Sequence, residues 1–490
     1  MSVHSRRQRN VGTMITKQTE KIMKKAEIER ITKKLTSQPR LVWDAITDKE
    51  KEKVFDFDRE YKNFLNTAKT EREAVTAISE IARNSGFSSK PSGTKPIRLM
   101  KTFQGKSIAL SLSGKKPISE GINLIVSHLD SPRLDLKQNP LYEDVDLAFM
   151  KTHYYGGIKK FQWLTRPLAI HGTIIRSDGS SLDIVVGEDD SDPVFTVADI
   201  LPHLARKVQY DKKVSDAFVG EKLNVMVGSL PFGDKDTKER FKLAILTLLN
   251  EKYGLVEEDL ISAELEVVPA GKARDVGWDR GLTGAYGHDD RSCAFTSLKA
   301  LLDQKSPQRS ALVLFMDKEE IGSDGATGAK SRFLESVLAD LMTAHGKEPL
   351  YHEIHDVLMH SRALSADVNG ALDPDYQDVH EKRNAARLGY GLCMTKFTGS
   401  GGKYAANDAN AEYVGWLRNL FNKKKIVWQT GELGKIDEGG GGTVAKFLAL
   451  YGMEIIDCGP PLLCMHSPFE IVHKGDIYMT YQGYKAFLES

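Results

Sequence analysis

Six consecutive apolar residues, Ala311-Leu312-Val313-Leu314-Phe315-Met316, end abruptly in Asp317-Lys318-Glu319-Glu320. A short, unbroken apolar run predicts a strand covered on both faces, as in the middle of a parallel sheet. Other apolar runs break in the same way: Leu124-Ile125-Val126-Ser127 meets His128-Leu129-Asp130, Leu364-Ser365-Ala366 reaches Asp367, and Leu462-Leu463-Cys464-Met465 delivers His466. A further cluster, Tyr286-Gly287-His288-Asp289-Asp290-Arg291, lies in a glycine-containing loop that enters a predicted helix. In open α/β sheets ligands bind beyond the carboxyl ends of the strands, so acids and histidines concentrated there predict one shared site.

The remaining pattern divides the chain. Residues 1–60 are rich in Lys, Glu and Arg, with Ile22, Met23, Ile28 and Ile31 at loosely helical spacing, and predict a charged helical arm. Thr70-x-x-Glu73 matches a capping box and starts a predicted helix that ends near Gly86. Over residues 139–268 the texture changes to short β-like stretches, such as Leu168 to Ile175 and Leu182 to Val186, between Gly- and Asp-containing turns, with helical pattern at Lys238 to Lys252. This interval follows His128-x-Asp130 and precedes Asp289. The expected organisation is therefore a discontinuous α/β domain, 61–138 and 269–490, with an inserted β-rich domain at 139–268.

Composition narrows the function classes. The chain has 490 residues, of which 41% are hydrophobic, enough for more than one core. Its 68 basic residues nearly cancel 67 acidic ones, which gives no support to nucleic-acid or membrane-surface partners. No apolar run has the length of a membrane span, and the basic N-terminus leads into no secretory apolar segment, so the expected compartment is the cytoplasm. Arg6, Arg7 and Arg9 with few acids before Glu20 would suit a transit peptide, but the charged helical pattern continues without a break and favours a solvated arm. Cys293, Cys393, Cys458 and Cys464 form no Cys-x-x-Cys pair and read as reduced thiols.

The clusters offer imidazole and carboxylate without thiolate, a set that suits catalytic zinc or another borderline divalent metal. His352-Glu353-Ile354-His355 spaces its histidines three apart, not the four of a zincin helix, and is better read as a solvated face. The run Gly439 to Gly442 lacks the Gly-Lys-Ser/Thr ending of a P-loop, so its glycines are expected to permit close backbone approach or a tight turn.

His128-Leu129-Asp130-Ser131-Pro132, Asp289-Asp290-Arg291, Glu319-Glu320-Ile321-Gly322-Ser323, Ser365-Ala366-Asp367 and Met465-His466-Ser467 together resemble, in order, the signature of the aspartyl aminopeptidase/aminopeptidase I family of metallopeptidases. The resemblance runs from about Tyr61 to the C-terminus and implies that 61–138 and 269–490 form a zinc exopeptidase-like catalytic domain, a mixed central sheet flanked by helices. It implies two divalent metal ions, zinc first and manganese or cobalt compatible. His128, Asp289 and Asp367 would hold one, and Asp289, Glu320 and His466 the other. Glu319 would be the general base and Asp130 would orient His128, while Asp290 is the weaker ligand candidate. It further implies a dimerisation and lid role for the insert, assembly into a homo-oligomer such as a tetrahedral dodecamer, and peptide substrates with a free N-terminus. Lys403 matches a position near the substrate side chain, where it could favour acidic N-terminal residues, and His203 matches a histidine that reaches a neighbouring subunit's site. Two other readings stay open from the residues alone: a related two-metal amidohydrolase (a deacylase or carboxypeptidase-like enzyme) and a non-catalytic oligomeric scaffold.

Overall fold

The computed structural model describes residues 25–37, 39–90 and 96–490. Most of the expected arm, residues 1–24, lies outside the described residues. The chain divides into a unit ending at Arg40, with the helix Lys25–Leu35, and a larger one from Leu41 to Ser490. Residues 41–60, expected within the arm, belong to the larger unit. In its helix Asp48–Thr67, Val54, Phe57, Tyr61, Phe64 and Leu65 form a buried stripe beneath a charged outer face.

A mixed eight-stranded sheet organises this unit. In chain order its strands are β1 (Arg98–Phe103), β2 (Ser107–Leu112), β3 (Asn123–His128), β4 (Ala311–Met316), β5 (Arg362–Ser365), β6 (Leu392–Thr395), β7 (Trp428–Thr430) and β8 (Glu454–Gly459). Their spatial order is β1-β2-β4-β3-β5-β8-β6-β7, with β4, β3, β5 and β8 parallel to one another. Strand periodicity divides the apolar run of β4 between two cores. Leu312, Leu314 and Met316 pack with the helices Phe333–Ala344 and Tyr351–Met359. Val313 and Phe315 pack with Asp48–Thr67, His288–Leu302 and Lys474–Glu489.

The register fixes the geometry of the site. Met316 lies opposite His128, and Ser365 opposite Val126, so the residues that follow these strands emerge at one level. A second, five-stranded sheet brackets the same edge: Arg274–Val276, Leu282–Ala285, Glu470–His473, Pro461–Leu463 and Asn369–Gly370, in that order. Its strands border the loops that carry Asp289, His466 and Asp367.

The segment expected as an insert builds an antiparallel seven-stranded sheet with its own core around Leu134, Trp163, Ile174 and Val267. Its strands run from Arg133–Asp144 to Ala263–Pro269, so it starts before Asn139. Asn139, the expected boundary, falls with Pro140 in an irregularity of the first strand, where the register shifts between Leu136 and Leu141. The predicted capping box is present, with Thr70 Oγ1 accepting from the Glu73 amide at 3.2 Å and Glu73 Oε2 accepting from the Thr70 amide at 3.0 Å. The predicted helix at 238–252 forms as Arg240–Tyr253.

Candidate metal centre

Five predicted ligands converge in two groups, His128 with Asp289 and Asp367, and Asp289 with Glu320 and His466; within each group the ligand atoms lie within 4.8 Å of one another. Asp289 is common to both. Its Oδ1 lies 3.1 Å from His128 Nε2 and its Oδ2 3.3 Å from His466 Nε2, so one carboxylate faces an imidazole on each side. His466 Nε2 is also 3.4 Å from Glu320 Oε2.

The tautomers follow from the other ring nitrogens. His128 Nδ1 is 3.0 Å from the Asp130 carbonyl oxygen, and His466 Nδ1 is 2.8 Å from the Gly157 carbonyl oxygen. A carbonyl only accepts, so each Nδ1 carries the hydrogen, and in the neutral rings both Nε2 lone pairs point toward Asp289. Lone pairs aimed at carboxylate oxygens repel unless a cation stands between them or the rings are protonated. Glu320 Oε1 is buried with no hydrogen-bond partner, and burial drives the carboxyls of Glu320 and Asp367 well above the ordinary carboxylate range. Divalent cations would resolve both the facing lone pairs and the crowded acids, so this donor set fits them.

Asp130 is fully buried and accepts at every side of its carboxylate. Oδ1 takes the Glu319 amide at 3.2 Å and lies 3.3 Å from His128 Nδ1, while Oδ2 takes the Glu320 amide at 3.2 Å and the Tyr155 hydroxyl at 2.8 Å. It thus ties the turn carrying Glu319 and Glu320 to the ring of His128. Burial is the main influence on Glu319, opposed by the His128 imidazole, and its carboxyl is pushed up to about 7. Asp290 belongs to neither group; its Oδ2 accepts from the His128 amide at 3.3 Å.

The centre opens into a cavity of about 1060 Å³, which Glu319 and Asp367 line on one side and Phe397, Lys403 and the stretch from Gly439 to Thr443 line elsewhere. The glycine run serves close approach. Gly440 has φ +128°, and a Cβ there would lie 2.0 Å from the Gly399 carbonyl oxygen. Thr443 Oγ1 anchors the end of the run by donating to Asp457 Oδ1 at 2.7 Å.

Of the predicted residues, His128, Asp130, Asp289, Glu319, Glu320, Asp367 and His466 come together, and Lys403 lies on the same cavity wall. The ammonium of Lys403 is 2.9 Å from Asp408 Oδ2 and 4.0 Å from the centre of the Phe397 ring. His203 sits in the short turn Pro202–Leu204, exposed, and is not among the residues lining this chain's cavity. His352 and His355 lie on the helix Tyr351–Met359, also away from that lining. Tyr155, Gly157 and Glu470 are supports that sequence reasoning missed. Glu470, one residue type among many at a strand start, carries no local signal beyond its spacing of four from His466.

The sequence profile of the aminopeptidase I zinc metalloproteases (M18) matches residues 64–488. A probable M18 family aminopeptidase 1 of Clostridium acetobutylicum is 50% identical over 457 residues, which cover 91% of this chain and 97% of its own. The crystal structure of an M18 aminopeptidase from Thermotoga maritima superposes with a TM-score of 0.89 at 45% identity, covering 93% of this chain and 100% of that one. The structure of the S. cerevisiae mApe1 dodecamer shares the fold at 21% identity and a TM-score of 0.70, over 88% of this chain and 95% of its own.

Proposed function

The chain belongs to the M18 aminopeptidase I family of zinc metalloproteases, and from that premise we propose that its metalloaminopeptidase activity resides in the centre formed by His128, Asp289, Glu320, Asp367 and His466. His128, Asp289 and Asp367 would hold one divalent cation, and Asp289, Glu320 and His466 a second, with Asp289 common to both groups. The observation that carries this reading is the placement of both Nε2 atoms on opposite oxygens of one carboxylate, while both Nδ1 hydrogens are committed to carbonyls. When bound, the cations polarise the scissile carbonyl and acidify the attacking water.

Glu319 lines the cavity beside the ligands and accepts the proton of that water, then returns it to the leaving amine. Asp130 holds the Glu319 amide and the His128 ring in one grip, so the base and the ligand keep a fixed spacing. Anchoring a free α-amino group at the acidic centre restricts cleavage to the N-terminal residue. Lys403 supports a preference for acidic N-terminal side chains, in competition with Asp408, which already neutralises it. We take zinc as the resident metal, with manganese or cobalt compatible with the same donors.

The segment from Arg133 to Pro269 is read as an inserted dimerisation and lid domain, and the protein as a homo-oligomer, a tetrahedral dodecamer in the fullest form. Leu201, Leu204, Tyr210 and Val214 are exposed beside His203, as a surface for a second copy requires. His203 would then serve a neighbouring subunit's cavity. Free thiols at Cys293, Cys393, Cys458 and Cys464 suit a reducing compartment, the cytoplasm. No helix among the described residues is long and apolar enough to cross a membrane.

The test is amino-acid release from Asp-, Glu-, Leu-, Lys- and N-acetyl-capped peptides by zinc-loaded protein, with a chelated control and Glu319→Gln beside it. The reading expects chelator-sensitive cleavage of free N-termini only. Glu319→Gln should lose about 10²–10⁴-fold in turnover while keeping its metal and its solution mass. Cleavage of capped peptides alone would transfer the site to a deacylase, and equal turnover of Asp- and Leu-peptides would remove the acidic preference.

A further inference from the structure

Glu470 opens the strand Glu470–His473, which lies between Leu282–Ala285 and Pro461–Leu463 in the five-stranded sheet. Ala285 pairs with Glu470, and Leu463 with Ile471, so the strand sits between the segment that continues to Asp289 and the one that continues to His466. Its carboxylate reaches both ways. Oε2 accepts from the Asp289 amide at 3.0 Å, and Oε1 accepts from the His466 amide at 2.7 Å.

Two features make this more than an ordinary strand-end contact. Glu470 is 1% exposed and forms no ion pair with a side chain among the described residues, an expensive placement for a carboxylate unless a cation stands close by. His466 has φ +64°, in the left-handed region that only a few per cent of residues other than glycine occupy, and that turn aims its Nε2 at Asp289 and Glu320. A short hydrogen bond on the His466 amide holds the turn at its centre.

We propose that Glu470 is a positioning residue of the metal centre, gripping the backbone of Asp289 and His466 with its two carboxylate oxygens and so setting the distance between the bridging ligand and the histidine of the second group. This rests on the metal-centre reading above. Gln at this position can accept through one oxygen only, and its amide group would face the other N–H. Asp keeps the charge but draws both oxygens back by one methylene.

The test uses the full-length protein, with zinc alone as the probe. Zinc retention is measured in competition with a chelator, and the melting midpoint is recorded with zinc and with chelator, for wild type, Glu470→Gln and Glu470→Asp. Both variants should bind zinc about 10–100-fold more weakly, and the rise in midpoint that zinc produces should shrink. Wild-type affinity in Glu470→Asp would show that charge alone is needed and would overturn the positioning role. So would equal lowering of both midpoints with affinity unchanged, the mark of a merely structural contact. A wild-type protein that retains no zinc defeats the metal-centre reading before any variant is compared, and the proposal with it.

Discussion

Replacing Asp130 with Asn tests whether the centre depends on an acceptor-only group at that point. The carboxylate accepts the amides of Glu319 and Glu320 and the hydroxyl of Tyr155, and stands 3.3 Å from His128 Nδ1. Asn has the same shape but one acceptor oxygen, so in either orientation its amide hydrogens face an N–H donor. If the oxygen stays toward Tyr155 and Glu320, the tie to Glu319 and His128 is lost. If it turns, the Glu320 amide loses its acceptor, while the Tyr155 hydroxyl can accept from the Asn amide instead. A hydrogen bond to a charged group is worth about 1.5–3 kcal/mol. Expressed as misplacement of one ligand, this equals roughly a 10- to 150-fold loss of metal affinity at about 1.4 kcal/mol per tenfold. Equilibrium dialysis against a zinc-buffered chelator, with metal counted by mass spectrometry, measures it directly. Wild-type affinity in a folded Asp130→Asn protein would refute the argument, because it would mean that the turn and the ring find their places without the carboxylate.

Two further tests reach beyond the ligands. His171, on the strand Leu168–Ile175, places Nδ1 2.7 Å from Glu73 Oε1 and Nε2 3.1 Å from Glu188 Oε1, joining the helix Glu71–Asn84 to the seven-stranded sheet. Burial lowers its pKa, but hydrogen bonds to Glu188 and Glu73 outweigh burial and raise it above 6.5. A raised histidine contributes its full stability below its unfolded value, near 6.5, and loses it as the pH rises through the folded value. Wild type should therefore exceed His171→Gln by about 1.5–3 kcal/mol in chemical denaturation at pH 6, with a smaller margin at pH 9; a margin independent of pH counts against a charged His171. Gly440→Ala would force a Cβ to 2.0 Å from the Gly399 carbonyl oxygen at φ +128°, parting the pair Gly399–Ser400 and Gly440–Gly441 at the cavity wall. Strain of about 1–3 kcal/mol predicts a KM raised by roughly 5- to 150-fold, with metal content unchanged; an unaltered KM in peptide kinetics would show that this wall does not touch substrate.

How far the sequence could be read depended on the range of the signal. The strand Ala311–Met316 was legible because an unbroken apolar run has few other uses, and the acids that end it follow from where parallel strands stop. The helix Asp48–Thr67 was obscured because Lys, Asp and Glu outnumber its apolar residues, although Val54, Phe57, Tyr61 and Phe64 recur at three- and four-residue steps. Even its inner edge is ionic: Asp58 Oδ2 lies 2.7 Å from Lys474 Nζ, a pair between the two ends of the chain that no local window contains. The five-stranded sheet was beyond pattern altogether, since Asn369–Gly370 and Pro461–Leu463 are too short to show a period.

That difference in range separates the ligands from their supports. His128, Asp289, Glu320, Asp367 and His466, the proposed ligands, each sit beside a local landmark, an apolar run or a glycine turn, because a site in an open α/β sheet gathers beyond the carboxyl ends of its strands. Tyr155 and Glu470 act across 25 and 181 residues of sequence, through a hydroxyl on Asp130 and a carboxylate on the Asp289 amide. Gly157 acts through its carbonyl on His466, across 309 residues. Their identity is set by which backbone hydrogens and ring nitrogens the register happens to leave unmatched, and that is a property of the folded sheet edges. A tyrosine at the end of a strand of the seven-stranded sheet therefore helps hold, through Asp130, the Glu319-Glu320 turn that follows β4 of the eight-stranded sheet, while Gly157, two residues on, reaches His466 directly, so the seven-stranded sheet grips both sides of the centre.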